Sequence, residues 1–280
     1  MIRIVTDSTS YMDEDFRREN NIVVVPLKVR FGDKTYIEGV NITPDEFYEK
    51  LESEKTLPKT SQPSIQDFIS AYKPILENGD EIISIHISSG LSGTFNAARM
   101  AAEQLDPSKI KLVDSKHTSI ILCFLAEHAV SEIKKGKSLE EVYQSTLALV
   151  PKMITRFTFW DIKYLVQGGR LSKAEGIIGS ILSIKPILSF TNGVVKTEAT
   201  PRTWKRALRK LAEYVKEIYE TRGIEKLGVI YGTNKAEAQE FANRLKEMVN
   251  TEVRMQQLGA VVGTYAGPRW IGIGIQAKRD

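Results

Sequence analysis

Cysteine is almost missing from this chain: Cys123 is the single one, so no internal disulfide can form, as expected of a protein in a reducing compartment. The thiol falls in the apolar run Ile120-Ile121-Leu122-Cys123-Phe124-Leu125-Ala126, where a buried, inert side chain is expected rather than a nucleophile. Histidine is scarce as well. His86 sits in a predicted strand, His117 in a loop after Asp114-Ser115, and His128 within a predicted helix. No Cys/His or His/carboxylate spacing suits a metal, and no cofactor is expected. No apolar stretch approaches the roughly 18–20 residues of a membrane-spanning helix. The opening Met1-Ile2-Arg3-Ile4-Val5-Thr6-Asp7 enters a strand at once, without a signal-peptide core, which predicts a cytoplasmic protein. An excess of one charge is lacking too. The net charge is +4 and no Lys/Arg cluster stands out from the 35 acidic residues, which argues against nucleic acid as a partner. Walker A spacing and a second aspartate after Thr6-Asp7-Ser8 are absent, and Gly272-Ile273-Gly274 is too short for a dinucleotide fingerprint.

What is present is a globular composition, 42% hydrophobic over 280 residues, long enough for two domains. The first half alternates strands and helices. Residues 2–6 and 22–31 read as strands, and so do 81–87 and 110–113. Thr43-Pro44-Asp45-Glu46 and Ser64-Ile65-Gln66-Asp67 open helices as capping boxes. Helices are predicted over 92–105, 118–135 and 138–149, with Gly136 ending the second of these. This alternation predicts a mostly parallel sheet covered by helices. The second half reads as strands near 154–159, 194–200, 227–231, 253–258 and 271–277. Two helices lie among them, one carrying Trp204, Ala207, Leu208, Leu211, Val215 and Ile218 on one face, the other Ala238, Phe241, Ala242, Leu245, Met248 and Val249. The fold class is therefore α/β, with an N-terminal α/β domain over 1–150 and a C-terminal α/β sandwich over 151–280.

The strongest local signal is Ser88-Ser89-Gly90-Leu91-Ser92-Gly93-Thr94, between a buried strand and a helix. The C-terminal edge of a parallel sheet is where such folds bind ligands, and a helix N-terminus favours an anionic group. Ordinary capping by Ser92 would also account for the segment. A second hydroxyl-rich loop, Thr60-Ser61-Gln62-Pro63-Ser64, leaves Thr60, Ser61 and Gln62 unexplained once Ser64 caps its helix; a solvated turn is the plain alternative. Asp7 has a plain role as a cap of a helix near Tyr11–Asp13. Ser92, His117 and Asp114 supply the residue types of a serine hydrolase, although Gly90-Leu91-Ser92-Gly93-Thr94 lacks the last glycine of a nucleophile elbow. A serine esterase or acyl hydrolase using Ser92 is the enzyme alternative; a phosphate or nucleotide sensor at the same helix starts is a third. Gln167-Gly168-Gly169-Arg170 reads as a flexible turn with an exposed arginine. The stretch 176–184 that follows is apolar all round and suits the wall of an apolar cavity. Gly259 to Gly267 repeats the glycine-rich, hydroxyl-bearing texture.

Taken in order, Thr6-Asp7-Ser8, Thr60-Ser61-Gln62-Pro63-Ser64, Ser88 to Thr94, Asp114-Ser115, Gly168-Gly169-Arg170 and Gly263-Thr264-Tyr265-Ala266-Gly267-Pro268 resemble the DegV family. The likeness runs along nearly the whole chain, about residues 2–278. It implies two α/β domains with a long-chain fatty acid, palmitate-like, in the cleft between them, and a role in lipid transport or fatty acid metabolism. It also implies that Thr60 and Ser92 hold the carboxylate, without catalysis by the chain itself. Ser61, Gly93, Thr94, Tyr265 and Arg202 are further head-group or pocket candidates, Ile177, Ile178 and Ile181 the tail-lining ones. Some members serve as acyl-carrying subunits of a fatty acid kinase, which makes Arg170 a candidate partner contact; transient contact with a membrane is a further expectation. The family pattern often has histidine where Tyr265 stands and glycine where Arg269 stands.

Overall fold

The computed structural model describes residues 1–54, 56–171 and 184–279. In the first half the order is β1 (Ile2–Asp7), α1 (Glu14–Glu19), β2 (Val23–Val25), β3 (Lys28–Phe31), β4 (Lys34–Ile37), α2 (Pro44–Ser53) and β5 (Lys59–Ser61). Then follow α3 (Ile65–Glu77), β6 (Glu81–His86), α4 (Thr94–Glu103), β7 (Ile110–Asp114), α5 (Ile120–Lys134) and α6 (Leu139–Leu149). Four strands form an all-parallel sheet in the order β2-β1-β6-β7. The predicted strand 22–31 is two strands. Pro26 has no N–H to donate to a ladder, and the chain leaves the parallel sheet there. Beyond it, β3 pairs antiparallel with β4 and β5 in a separate three-stranded sheet that brings Thr60 opposite Val29.

Thr43, Ser64 and Ser138 each close a capping box with the acid three residues on. The helix expected from residue 92 starts two residues later. Ser92 donates its N–H back to the Ser88 carbonyl (3.1 Å) and still belongs to the turn, and Gly93 stands at the N-cap of α4 without a side-chain bond. Asp7 caps the short 3-10 turn Ser8–Ser10 rather than α1, whose cap is Asp13.

After another 3-10 turn at Val150–Lys152 the second half runs β8 (Met153–Phe159), α7 (Lys163–Gln167), β9 (Ile187–Thr191), β10 (Val194–Ala199) and α8 (Trp204–Arg222). It continues with β11 (Ile224–Tyr231), α9 (Lys235–Val249), β12 (Val253–Gln257), α10 (Ala260–Ala266) and β13 (Trp270–Ala277). Six strands form a mixed sheet in the order β10-β9-β8-β13-β11-β12, parallel at β11–β12 and antiparallel elsewhere. Helices α8 and α9 cover one face with the apolar residues their periodicity predicts, Leu211, Val215, Phe241 and Leu245 among them. The protein is thus α/β, as its sequence predicts. Among the described residues, no helix is long and apolar enough to cross a membrane.

The apolar run 120–126 is explained by what lies on either side of it. One core cluster joins Ile4, Ile83 and Ile85 of the parallel sheet to Ile121, Phe124 and Leu125 of α5, and these to Phe157, Leu188 and Ile230 of the mixed sheet. Over this run the helix lies between two sheets and has no wet face. Gly228 and Gly274 stand opposite each other in the β11–β13 ladder, and a Cβ at either would meet Ile120 at 2.1 and 2.3 Å. The paired glycines form the groove that α5 enters. Burial pushes the Cys123 thiol up to about 12, in keeping with an inert core side chain.

Candidate functional site

Where the two halves face each other they enclose a cavity of about 310 Å³, near the lower end of the range for small-molecule sites. Thr60, Ser61 and Gln62 line it from β5 and the loop after it, and Leu91, Ser92 and Gly93 from the turn before α4. The mixed sheet contributes Thr155, Phe157, Phe159, Phe190, Val195, Ile230 and Trp270. Helix α10 supplies Val261, Val262, Tyr265 and Ala266.

One group of polar side chains gathers around Thr60, while Thr118 and Ser119 line the cavity from the loop before α5 and Thr155 from β8. Thr60 Oγ1 lies 2.5 Å from Tyr265 Oη. Ser92 Oγ lies 2.8 Å from Thr94 Oγ1 and accepts the Thr94 N–H at 3.3 Å. Thr94 is fully buried and orients Ser92 without reaching the cavity wall itself. Gly93 packs against the Gln62 side chain, whose Oε1 would stand 2.0 Å from a Cβ there. Arg170 is the one charged residue among the described lining. Its guanidinium lies 4.4 Å from the Tyr265 ring centroid, and its Nη1 donates to the Gly168 carbonyl at 2.8 Å. Gly168 has a packing reason, because a Cβ there would meet the Tyr265 ring at 2.3 Å. The cavity therefore joins a group of hydroxyls with a cation around Thr60 to a wall that is mostly aliphatic and aromatic, with Thr118, Ser119 and Thr155 as further hydroxyls.

Thr60, Ser61, Ser92, Gly93, Tyr265 and Arg170, separate in the sequence, share this one cavity. Arg202 does not join them. It is exposed just ahead of Thr203, the N-cap of α8, and is absent from the lining. Ile177, Ile178 and Ile181 lie outside the described residues. The aromatic wall from β8 and β9 was not foreseen, though the alternation Thr155, Phe157, Phe159 carries its signal: these three face the cavity while Arg156 stacks on Tyr214 of α8. Arg269, in the place of the family's glycine, also stays off the lining. Its guanidinium lies 3.9 Å from the Trp160 ring centroid and its Nη2 3.2 Å from Glu237 Oε1, a clamp on the outer surface.

The hydrolase triad is not assembled. Asp114 accepts from Ser89 Oγ at 2.5 Å and Lys116 Nζ at 2.7 Å, His117 Nδ1 lies 3.0 Å from Thr155 Oγ1, and Ser92 bonds Thr94. Burial pushes His117 down to about 4, far below a general base suited to neutral pH. A serine–histidine–aspartate chain does occur elsewhere: Ser84 Oγ is 2.7 Å from His86 Nε2, and His86 Nδ1 3.0 Å from Asp7 Oδ2. All three residues are fully buried and Tyr72 closes the far end at 2.8 Å. With no access for a substrate, the chain is a satisfied polar network within the core. Among the described residues no His/Cys/Asp/Glu group could hold a metal ion.

A family model described as "Uncharacterised protein, DegV family" matches residues 1–278. The solved structure of DegV from Bacillus subtilis, described as a fatty acid binding protein, is 34% identical with a TM-score of 0.91, over 99% of both chains. A DegV family protein from Thermus thermophilus, described by its fatty acid binding, is 30% identical with a TM-score of 0.89, again over 99% of both. A protein from Eubacterium ventriosum described as binding stearic acid is 26% identical with a TM-score of 0.91, over 99% of each chain.

Proposed function

Because the chain belongs to the DegV family, we propose that it binds a long-chain fatty acid in this cavity, with the carboxylate at Thr60 and Ser92. The observation that carries the proposal is the mixed lining of the cavity, with Thr60, Tyr265 and Arg170 grouped together beside a wall that includes Phe157, Phe190, Val195 and Ile230. An amphiphile with an anionic head matches that lining. Burying about 14 methylenes at roughly 0.8 kcal/mol each offers on the order of 11 kcal/mol before the costs of binding. Hydrogen bonds to the carboxylate add roughly 1.5–3 kcal/mol each. The tail supplies most of the affinity, and the hydroxyls decide which end of the ligand lies where. We assign the two faces of the cleft to units 1–150 and 151–280, and the protein to lipid carriage or fatty acid metabolism in the cytoplasm. Native mass spectrometry of freshly purified protein is expected to show an excess mass equal to one long-chain fatty acid. Protein that stays at its chain mass after incubation with hexadecanoate would overturn the reading.

A kinase-serving role is favoured by one further feature. Arg170 is exposed and also borders the head-group end, so a phosphate arriving there would meet a guanidinium. With a fatty acid kinase as partner, Arg170→Ala is expected to cut acyl-phosphate formation while retaining most hexadecanoate affinity. Unchanged turnover in that variant would remove Arg170 from this role.

A further inference from the structure

Glu38 follows β4, far from the cavity in sequence, and is 5% exposed. Ser8 Oγ donates to its Oε2 at 2.6 Å and the Val261 N–H to its Oε1 at 2.7 Å. Beside it, Tyr11 Oη accepts the Val262 N–H at 3.0 Å. These two N–H groups belong to the first turn of α10, where a helix has no partners of its own to offer. The approach is tight: a Cβ at Gly259 would meet Tyr11 at 2.5 Å and Glu38 Oε1 at 2.8 Å. The same helix presents Val261, Val262, Tyr265 and Ala266 to the cavity, and Tyr265 reaches Thr60. Glu38 therefore grips the back of the wall whose front meets the ligand. We propose that Glu38 is a positioning residue for the acyl site, holding α10 and thereby Tyr265 in place, and that its ionisation favours opening of that wall. The proposal rests on the fatty-acid reading of the cavity.

Burial pushes the Glu38 carboxyl up to about 7, against the hydrogen bonds from Ser8, Val261 and Tyr11, which pull it down, while Asp7 adds to the rise. The other groups facing it are Tyr48 of α2 and, with Glu38 itself around a second cavity of about 260 Å³, Tyr11 and the Glu14 and Arg17 of α1. Tyr11 and Tyr48 are both raised by burial and stay neutral, and Arg17 is paired with Glu14 at 2.5 Å. An opened wall would expose Glu38 to water and return it to its ordinary 4.5. The closed wall is then most favoured below that value, loses up to about tenfold per pH unit as pH rises toward 7, and loses nothing more above it.

Hexadecanol is the probe, because its head group does not titrate. Its release from the full chain is expected to quicken up to about tenfold per unit between about pH 5 and pH 7, then level off. Glu38→Gln, which keeps the shape and cannot ionise, is expected to release it at one rate throughout. Equal slopes in wild type and Glu38→Gln, or a flat wild-type profile, would overturn the proposal. In ligand-free wild type the Val261 and Val262 amide resonances are expected to titrate near pH 7; resonances that do not move would also overturn it. Amides that titrate in a protein binding neither hexadecanol nor hexadecanoate would leave the grip of Glu38 on α10 standing and overturn the fatty-acid reading instead.

Discussion

Each pair of methylenes added to a short fatty acid is expected to tighten binding by up to about 1.6 kcal/mol, roughly tenfold, until the cavity is full. From eight to twelve carbons this amounts to about two orders of magnitude, one of the two largest effects foreseen for this protein. The expectation follows from the lining. Phe157, Phe159, Phe190, Val195, Ile230 and Trp270 offer dispersion and water exclusion and little directional bonding, so affinity scales with the apolar surface a ligand brings. Past the point where the tail reaches the end of the cavity, the gain should stop or reverse, because close-packed walls resist overfilling. Calorimetric titration with acids of eight to eighteen carbons measures the slope. Equal affinity for the eight- and sixteen-carbon acids would make the site a carboxylate receptor.

The second large effect concerns the head group. Thr60→Ala combined with Ser92→Ala removes two hydroxyl partners of the proposed carboxylate. At roughly 1.5–3 kcal/mol each, the loss is about two to four orders of magnitude in hexadecanoate affinity. Hexadecanol, which has no charge to stabilise, should lose far less, so the acid-to-alcohol preference is expected to collapse. The fold should survive, because Thr60 lies on a short strand of the three-stranded sheet and the turn at Ser92 is held by the Leu91 and Ser92 N–H groups on the Ser88 carbonyl, the Ser92 side chain adding bonds to Thr94 alone. Thermal melts beside the titrations separate the two effects. An unchanged acid-to-alcohol ratio in the folded double variant would place the carboxylate elsewhere.

Much of the fold was legible because local chemistry repeats at fixed spacing. The capping boxes at Thr43 and Ser64, the apolar faces of α8 and α9, and the buried run of α5 are all short-range patterns, and the structure bears them out. The three-stranded sheet was not legible. Lys34-Thr35-Tyr36-Ile37 and Lys59-Thr60-Ser61 are short and polar, and they become strands only through long-range pairing with β3. Helix α10 was hidden for a different reason. Gly259 and Gly263 look like loop residues in a sequence, yet each marks a close approach, the first to Tyr11 and Glu38, the second to Phe47 and Tyr48. Glycine there serves packing rather than freedom of the chain. In the site, Thr60, Ser92 and Tyr265, drawn from separate motifs, share one cavity, whereas Arg202, a candidate from the resemblance, is exposed and off the lining. Glu38 carried no signal at all: one acid among 35, distinguished only by the burial that tertiary structure imposes.

The account stands or falls on where the ends of a bound acyl chain lie. A crystal structure of the protein with hexadecanoate tests this directly. The carboxylate is predicted within hydrogen-bond distance of Thr60 Oγ1 and Ser92 Oγ, with the tail running along the paired rings of Phe157 and Phe190. A cavity without an acyl chain, or a chain lying with its carboxylate against Phe190 and its methyl end at Thr60, would contradict it.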